Sequence, residues 1–200
     1  GADANNYTLN PITGFFGTII PLAIRITPDL GQTKDFGEPD SSFQYTYFPN
    51  LIGSDASFTG SLSRVSGEDV EGATTYEILG GDLSAGANYD LTITPGVFFE
   101  ILPIEPDLEF STKEKTYGDA DFNVAAFSSN SLGLISYSIL SATPGTSLSG
   151  VNNDLVSLGN VGTARIRATI AATKNYTSFS KEAVLTIKKA ILTPKVEDVI

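Results

Sequence analysis

The residues able to do chemistry in this 200-residue chain are carboxylates, lysines and hydroxyls, because His and Cys are both absent. Without His there is no imidazole base and no imidazole metal ligand. Without Cys there is no thiolate nucleophile, no disulfide and no zinc site of the usual structural kind. The acids gather in three places: Asp35, Glu38 and Asp40; Glu68, Asp69 and Glu71 between Gly67 and Gly72; and Asp119 with Asp121. Calcium takes roughly six to eight oxygens, several of them carboxylate. Asp119 and Asp121, or Asp35, Glu38 and Asp40, supply too few, so calcium is the less favoured reading of these groups. The favoured one is a turn that plugs the end of a β unit: Tyr117 buries its ring, Gly118 permits positive φ, and Asp119 caps. Phe36-Gly37-Glu38 is expected to do the same.

The Glu68 group reads as a solvated hairpin tip rather than a catalytic pair. Glycoside hydrolysis needs two carboxylates across a cleft at set separations, and nothing in the sequence selects such a pair. A serine nucleophile would need a lysine base, and Ser111 precedes Lys113 by only two positions. No Lys–Asn or Lys–Asp pair stands out as a covalent crosslink. With Trp absent, a sugar-stacking platform would have to use Tyr45, Tyr47 or Tyr76. Phe48-Pro49-Asn50-Leu51 and Phe98-Phe99 read as core or module-junction packing. The expected set of catalytic, cofactor-binding and metal-ligating residues is therefore empty, and no cofactor is expected.

Composition narrows the partners. Hydrophobic residues make up 41% of the chain, enough for a packed core, while acids outnumber bases 23 to 12 for a net charge of -11. That balance argues against phosphate-backbone binding and against an anionic membrane surface. The largest basic groups are only Lys113 with Lys115 and Lys188 with Lys189. No apolar run approaches the roughly 18 residues of a membrane span. The expectation is no nucleic acid and no membrane insertion. No basic start or cleavage pattern suggests a signal peptide. Gly1 leads and Met is absent, which suggests an excised fragment of a longer protein. Lack of disulfides does not make the chain cytoplasmic.

The elements that must position these residues repeat. Asn6-Tyr7-Thr8-Leu9 recurs as Asn88-Tyr89-Asp90-Leu91 and as Asn175-Tyr176-Thr177, at separations of 82 and 87 residues. Gly14-Phe15-Phe16 has a counterpart in Gly96-Val97-Phe98-Phe99. Lys34-Asp35-Phe36-Gly37-Glu38-Pro39-Asp40 has one in Lys115-Thr116-Tyr117-Gly118-Asp119-Ala120-Asp121, 81 residues on. Several markers in one order at nearly one period predict an array of modules. The expected division is 1–20 as the last strands of a preceding repeat, 21–103 and 104–190 as two full modules, and 191–200 as the start of another. Tyr7 to Ile20 is expected to dock as strands.

Period-two alternation predicts strands at Ala23–Thr27, Tyr89–Ile93, Ala164–Ile170 and Ala183–Ile187. Gly, Pro, Asn, Asp and Ser interrupt the chain too often for a long helix. Ser84–Ala87 and Ala171–Asn175 are expected to form single helical turns. The fold class is all-β: two tandem Ig-like β-sandwich modules, with small mainly-β grasp-like modules as the alternative.

Three stretches carry a family resemblance. They are Thr59-Gly60-Ser61-Leu62-Ser63-Arg64 with Gly67-Glu68-Asp69-Val70, Thr75-Tyr76-Glu77-Ile78, and Gly81-Asp82-Leu83-Ser84-Ala85-Gly86-Ala87-Asn88-Tyr89. Together they resemble the MBG repeat, a mostly-β, glycine-rich domain of bacterial surface proteins. Lys115-Thr116-Tyr117-Gly118-Asp119 is a further mark of it. The resemblance covers most of 21–103. The second module shares the Tyr-Gly-Asp start but lacks the Gly-Ser-Leu-Ser-Arg segment, and its Gly162–Ala168 stretch resembles bacterial Ig-like repeats. The resemblance implies tandem extracellular repeats of large adhesins and no catalytic residue. The expected role is a non-catalytic spacer or stalk at the bacterial cell surface, its partners the neighbouring repeats of the same chain. A glycan- or protein-binding adhesive module is the alternative, and an accessory domain of a glycoside hydrolase a remote one.

Overall fold

A computed structural model of the chain describes Gly14, residues 17–53 and residues 57–193. Among the described residues every regular element is a strand, so the all-β expectation is met. The first seven are β1 (Leu22–Pro28), β2 (Thr33–Asp35), β3 (Tyr45–Phe48), β4 (Ser63–Arg64), β5 (Tyr76–Leu79), β6 (Tyr89–Ile93) and β7 (Phe98–Leu102). Then follow β8 (Glu109–Phe110), β9 (Lys115–Thr116), β10 (Phe122–Asn123), β11 (Ala126–Phe127) and β12 (Ile135–Ala142). The last four are β13 (Ser147–Ser149), β14 (Leu155–Ser157), β15 (Gly162–Ile170) and β16 (Phe179–Lys188).

Alternation makes the long strands. In β1, Ile24 and Ile26 point inward at 1% and 0% exposure while Ala23 and Arg25 face water. In β15, Ala164, Ile166, Ala168 and Ile170 are all buried, and Arg165 lies outside. Successive side chains of a strand point to opposite faces, so a period-two sequence has one way to bury its apolar half. The strand expectations at Ala23–Thr27, Tyr89–Ile93, Ala164–Ile170 and Ala183–Ile187 are met by β1, β6, β15 and β16. The two expected helical turns are not. Ser84 makes an isolated antiparallel bridge with Thr59, and Ala171–Asn175 runs as irregular chain and bend. A single turn has too few hydrogen bonds to offset the cost of starting a helix.

Two four-stranded sheets share one plan. The first has the order β2-β7-β5-β4 and the second β9-β16-β15-β12. In both, the first pair is parallel and the other two antiparallel. A separate sheet, β3-β1-β6, pairs β1 parallel with β6 and antiparallel with β3.

By contact density the chain forms two units. Unit 1 holds Ser42–Val65 and Tyr76–Phe99 together with the chain up to Gln32. Its buried side chains include Ile24, Ile26, Leu62, Tyr76, Ile78 and Phe99. Unit 2 holds Thr33–Ser41, Ser66–Thr75 and the chain from Glu100 onward. Its core joins Val156, Ile166, Ile170, Leu185 and Ile187 with Phe110 and Tyr137. In β7, Phe98 and Glu77 pair, Phe99 and Tyr76 pair, and Glu100–Leu102 pair with β2.

Most of the Tyr7–Ile20 segment lies outside the described residues. Its described part, Gly14 and Gly17–Ile20, is in no strand, and Ile19 and Ile20 are 97% and 77% exposed. The expectation of docked strands therefore fails at those positions.

Candidate functional site

Two turns at corresponding places carry two of the three acid groups singled out from the sequence. Each follows the last residue of a short strand paired in parallel with a long one: Asp35 beside Leu102, and Thr116 beside Lys188. The parallel ladder then continues one step, with the Phe36 N–H donating to the Leu102 carbonyl at 2.9 Å and the Tyr117 N–H to the Lys188 carbonyl at 2.8 Å. The turn closes when Glu38 N–H donates to Asp35 O at 3.1 Å, and Asp119 N–H to Thr116 O at 3.0 Å. Gly37 and Gly118 sit inside these turns at φ of 87° and 90°, the region that penalises a Cβ. Asp119 caps as expected, its carboxylate accepting the Thr116 N–H at 2.8 Å. Tyr117 does not bury its ring; it is 53% exposed.

The flanking lysines diverge. Lys34, the middle residue of β2, points inward and its side chain is 5% exposed. Its ammonium holds the Asp40 carboxylate at 2.8 Å and also pairs with Glu68. Burial works against its charge, but the hydrogen bonds and fields of the two carboxylates outweigh it and hold its pKa above the ordinary lysine value. A lysine kept protonated is an anchor for carboxylates, not a nucleophile. The sequence reading treated Lys34 only as a repeat marker. The signal for its burial is the inward position of the middle residue of Thr33-Lys34-Asp35. Lys115 instead lies over the Phe122 ring, 4.5 Å from its centroid.

The Glu68–Glu71 acids are exposed but committed to partners. Within unit 2, Lys174 pairs with Asp69 at 3.2 Å and with Glu71. The Asn175 amide donates to Asp69 at 2.9 Å, while its Oδ1 accepts the Val70 N–H at 2.8 Å. Asn175 and Lys174 pull the Asp69 carboxyl below its usual range, and Glu71 and Asp69 raise Lys174. Next to this cluster, Phe36 and Tyr176 meet edge to face at 5.6 Å. The picture of a freely solvated tip is thus corrected: Glu68 pairs with Lys34, and Asp69 and Glu71 bond to residues more than a hundred positions away in sequence.

The remaining candidates are dispersed. Asp121 accepts a hydrogen bond from Ser157 at 2.7 Å. Among the described residues no three acids are grouped to hold a metal ion. Ser178 and Lys181 do have the Ser-x-x-Lys spacing, but Ser178 gives its hydroxyl to the Ile170 carbonyl at 2.9 Å. Extended chain also sends positions three apart to opposite faces, so no dyad forms. Tyr76 is 3% exposed under the Arg64 guanidinium, which removes it as a platform. Tyr45 and Tyr47 both pack edge-on against Phe58, at 5.7 and 4.8 Å. Phe99 is core, as expected, but Phe48 is 78% exposed rather than packed. It borders an open groove of about 480 Å³ on the β3-β1-β6 sheet, with Arg25, Thr27, Thr46 and Thr92.

A second backbone hydrogen bond also recurs at corresponding places in the sequence. The Leu22 N–H donates to the Asn88 carbonyl at 2.9 Å, and the Ile104 N–H to the Asn175 carbonyl at 3.2 Å. Residues 24–99 match the MBG domain of YGX type. The resemblance read from the sequence is borne out over that stretch. The MBG domain takes in Phe36-Gly37-Glu38, the counterpart of Tyr117-Gly118-Asp119, with Phe in the Tyr position. MBG domains are non-catalytic repeat modules found in bacterial surface proteins. No curated protein matches the chain.

Proposed function

We propose that this chain is a tandem β-repeat segment that serves as an extracellular spacer or stalk of a bacterial surface adhesin, with modules at 21–103 and 104–190. The observation that carries the reading is the duplication of backbone hydrogen bonds. Leu22 to Asn88 and Phe36 to Leu102 recur as Ile104 to Asn175 and Tyr117 to Lys188. Those bonds join distant segments, so their recurrence supports the reading of one fold built twice. Lys34 and Lys174 are spent on ion pairs with Asp40, Glu68, Asp69 and Glu71, which suits a mechanical element better than a reactive centre. Surplus acid charge would keep neighbouring stalks apart. Forced unfolding of single molecules tests this: two separate unfolding events per chain are expected, and one event with no further structure would defeat the reading.

One observation favours an adhesive module instead. Phe48 is exposed beside an open groove whose apolar wall is interrupted by Arg25, Thr27, Thr46 and Thr92, an arrangement that fits a sugar face. A glycan array with the intact chain and with Phe48→Ala separates the two. Silence supports the spacer, whereas specific binding lost in the variant supports adhesion.

A further inference from the structure

The same turn occurs twice, but only one copy is covered. At the first, the Phe36 ring meets Tyr176 edge-on at 5.6 Å. Tyr176 belongs to the Asn-Tyr connection, which is fixed from behind by the Ile104–Asn175 hydrogen bond at 3.2 Å. At the second, the Tyr117 ring is 53% exposed and meets no aromatic ring of the described residues. Its backbone is as firmly held as that of Phe36, through Lys188 and Asp119. An exposed aromatic side chain on a pinned backbone, in a turn whose twin is met by a tyrosine, is the unfilled half of the contact made at Phe36.

We propose that the Tyr117 turn is a docking surface for the Asn-Tyr connection of another module of this class, and that in solution a second copy of this chain supplies it through Asn88-Tyr89. This rests on the repeat-array reading above. Asn88-Tyr89 corresponds to Asn175-Tyr176 by sequence and by its backbone bond to Leu22. Its ring is already oriented, since the Tyr89 hydroxyl accepts the Ile52 N–H at 2.8 Å and donates to the Ile52 carbonyl at 3.0 Å.

The charges fit as well. Around Phe36 the contact joins acids Asp69 and Glu71 to Lys174. In Asn88-Tyr89 the lysine position is Ala87. Facing it, the ladder that runs from Lys115 through Ile187 to Gly162 brings Asn160 and Val161 to the Tyr117 end of the sheet. Val161 is 40% exposed. The two acids of the turn are occupied, Asp119 by the Thr116 N–H and Asp121 by the Ser157 hydroxyl. Lysine is missing from the plug and free acid from the socket, so neither charge is left unpaired by docking. The contact joins different surfaces of two copies and does not close on itself.

The test is a titration of the full 15N-labelled chain with unlabelled chain, followed by NMR. Without the ion pairs the affinity falls near the millimolar range, so additions up to about 2 mM are needed. Amide peaks of Tyr117, Gly118, Asn88 and Tyr89 are expected to shift together with concentration. Tyr117→Ala is expected to abolish those shifts, and Tyr117→Phe to keep them, because the ring makes the contact. Peaks that stay fixed across the range, or that move equally in Tyr117→Ala, overturn the proposal. Glycan binding that defeated the spacer reading would leave these shifts in place, so the two failures are distinguishable.

Discussion

The turns at 34–40 and 115–121 are the same object in two environments. Their hydrogen bonds agree within 0.1 Å, at 2.9 and 2.8 Å for the ladder step and 3.1 and 3.0 Å for the closure. Their side chains do different work. Lys34 is sealed against Asp40 and Glu68, whereas Lys115 rests on the Phe122 ring. Phe36 meets Tyr176 edge to face and Tyr117 is in water. The backbone of the turn depends on a glycine, a parallel neighbour and two local bonds, so it survives changes around it. The environment depends on which distant loop arrives, and at the first copy the Ser66–Thr75 loop arrives with Glu68 on Lys34.

Removing each lysine probes this contrast most strongly. Lys34→Ala is expected to destabilise by about 1.5–3 kcal/mol, the range for hydrogen bonds to charged groups, and Lys115→Ala by about 0.5–1 kcal/mol. Urea unfolding measures both, and equal costs would break the comparison. The glycines come next and should show no contrast. Neither Gly37 nor Gly118 has an atom within 4 Å of an added Cβ, so only the backbone conformation resists. Alanine at either is expected to cost about 1–2 kcal/mol, and a large difference between them would show that the turns are not equivalent. Phe36→Ala is expected to cost at least the roughly 0.5–1.5 kcal/mol of an aromatic pair, while Tyr117→Ala stays within about 0.5 kcal/mol of zero.

The smallest effect is on pH dependence. The folded Lys34 pKa lies above its unfolded value, so its contribution is complete below the ordinary lysine pKa of about 10.4 and is lost as pH rises through the raised value. Asp69 runs the other way. Its lowered pKa makes its contribution complete above the ordinary aspartate range and lost as pH falls through the folded value. Thermal melts across pH should therefore show Lys34→Ala losing part of the alkaline limb and Asp69→Asn part of the acid limb. The reverse assignment would refute the ion-pair account.

Much of the strand framework was readable in advance. Tyr89–Ile93 and Ala164–Ile170 alternate, and alternation has a single consequence on a pleated backbone. The repeat was readable because Asn-Tyr and aromatic-Gly-acid recur in order, and both prove to be places where the backbone is pinned. Phe48 was misread because its pattern is apolar like its neighbours; only β3's position at the edge of its sheet exposes it. The Glu68–Glu71 acids were misread because local sequence gives no view of Lys174 and Asn175. The buried Lys34 was passed over because charge argues for the surface unless the partners are known.

The sequence by itself determined the class of structure, the placing of β1, β6, β15 and β16, and the recurrence of the Asn-Tyr and aromatic-Gly-acid markers. Those follow from local periodicity and from glycines that tolerate positive φ, which are properties of neighbouring residues. Tertiary structure alone decided which lysine is buried, which acids are paired and which aromatic turn is left uncovered. Each of these is set by the meeting of segments far apart in the chain, and its energy depends on burial and on distance rather than on residue type.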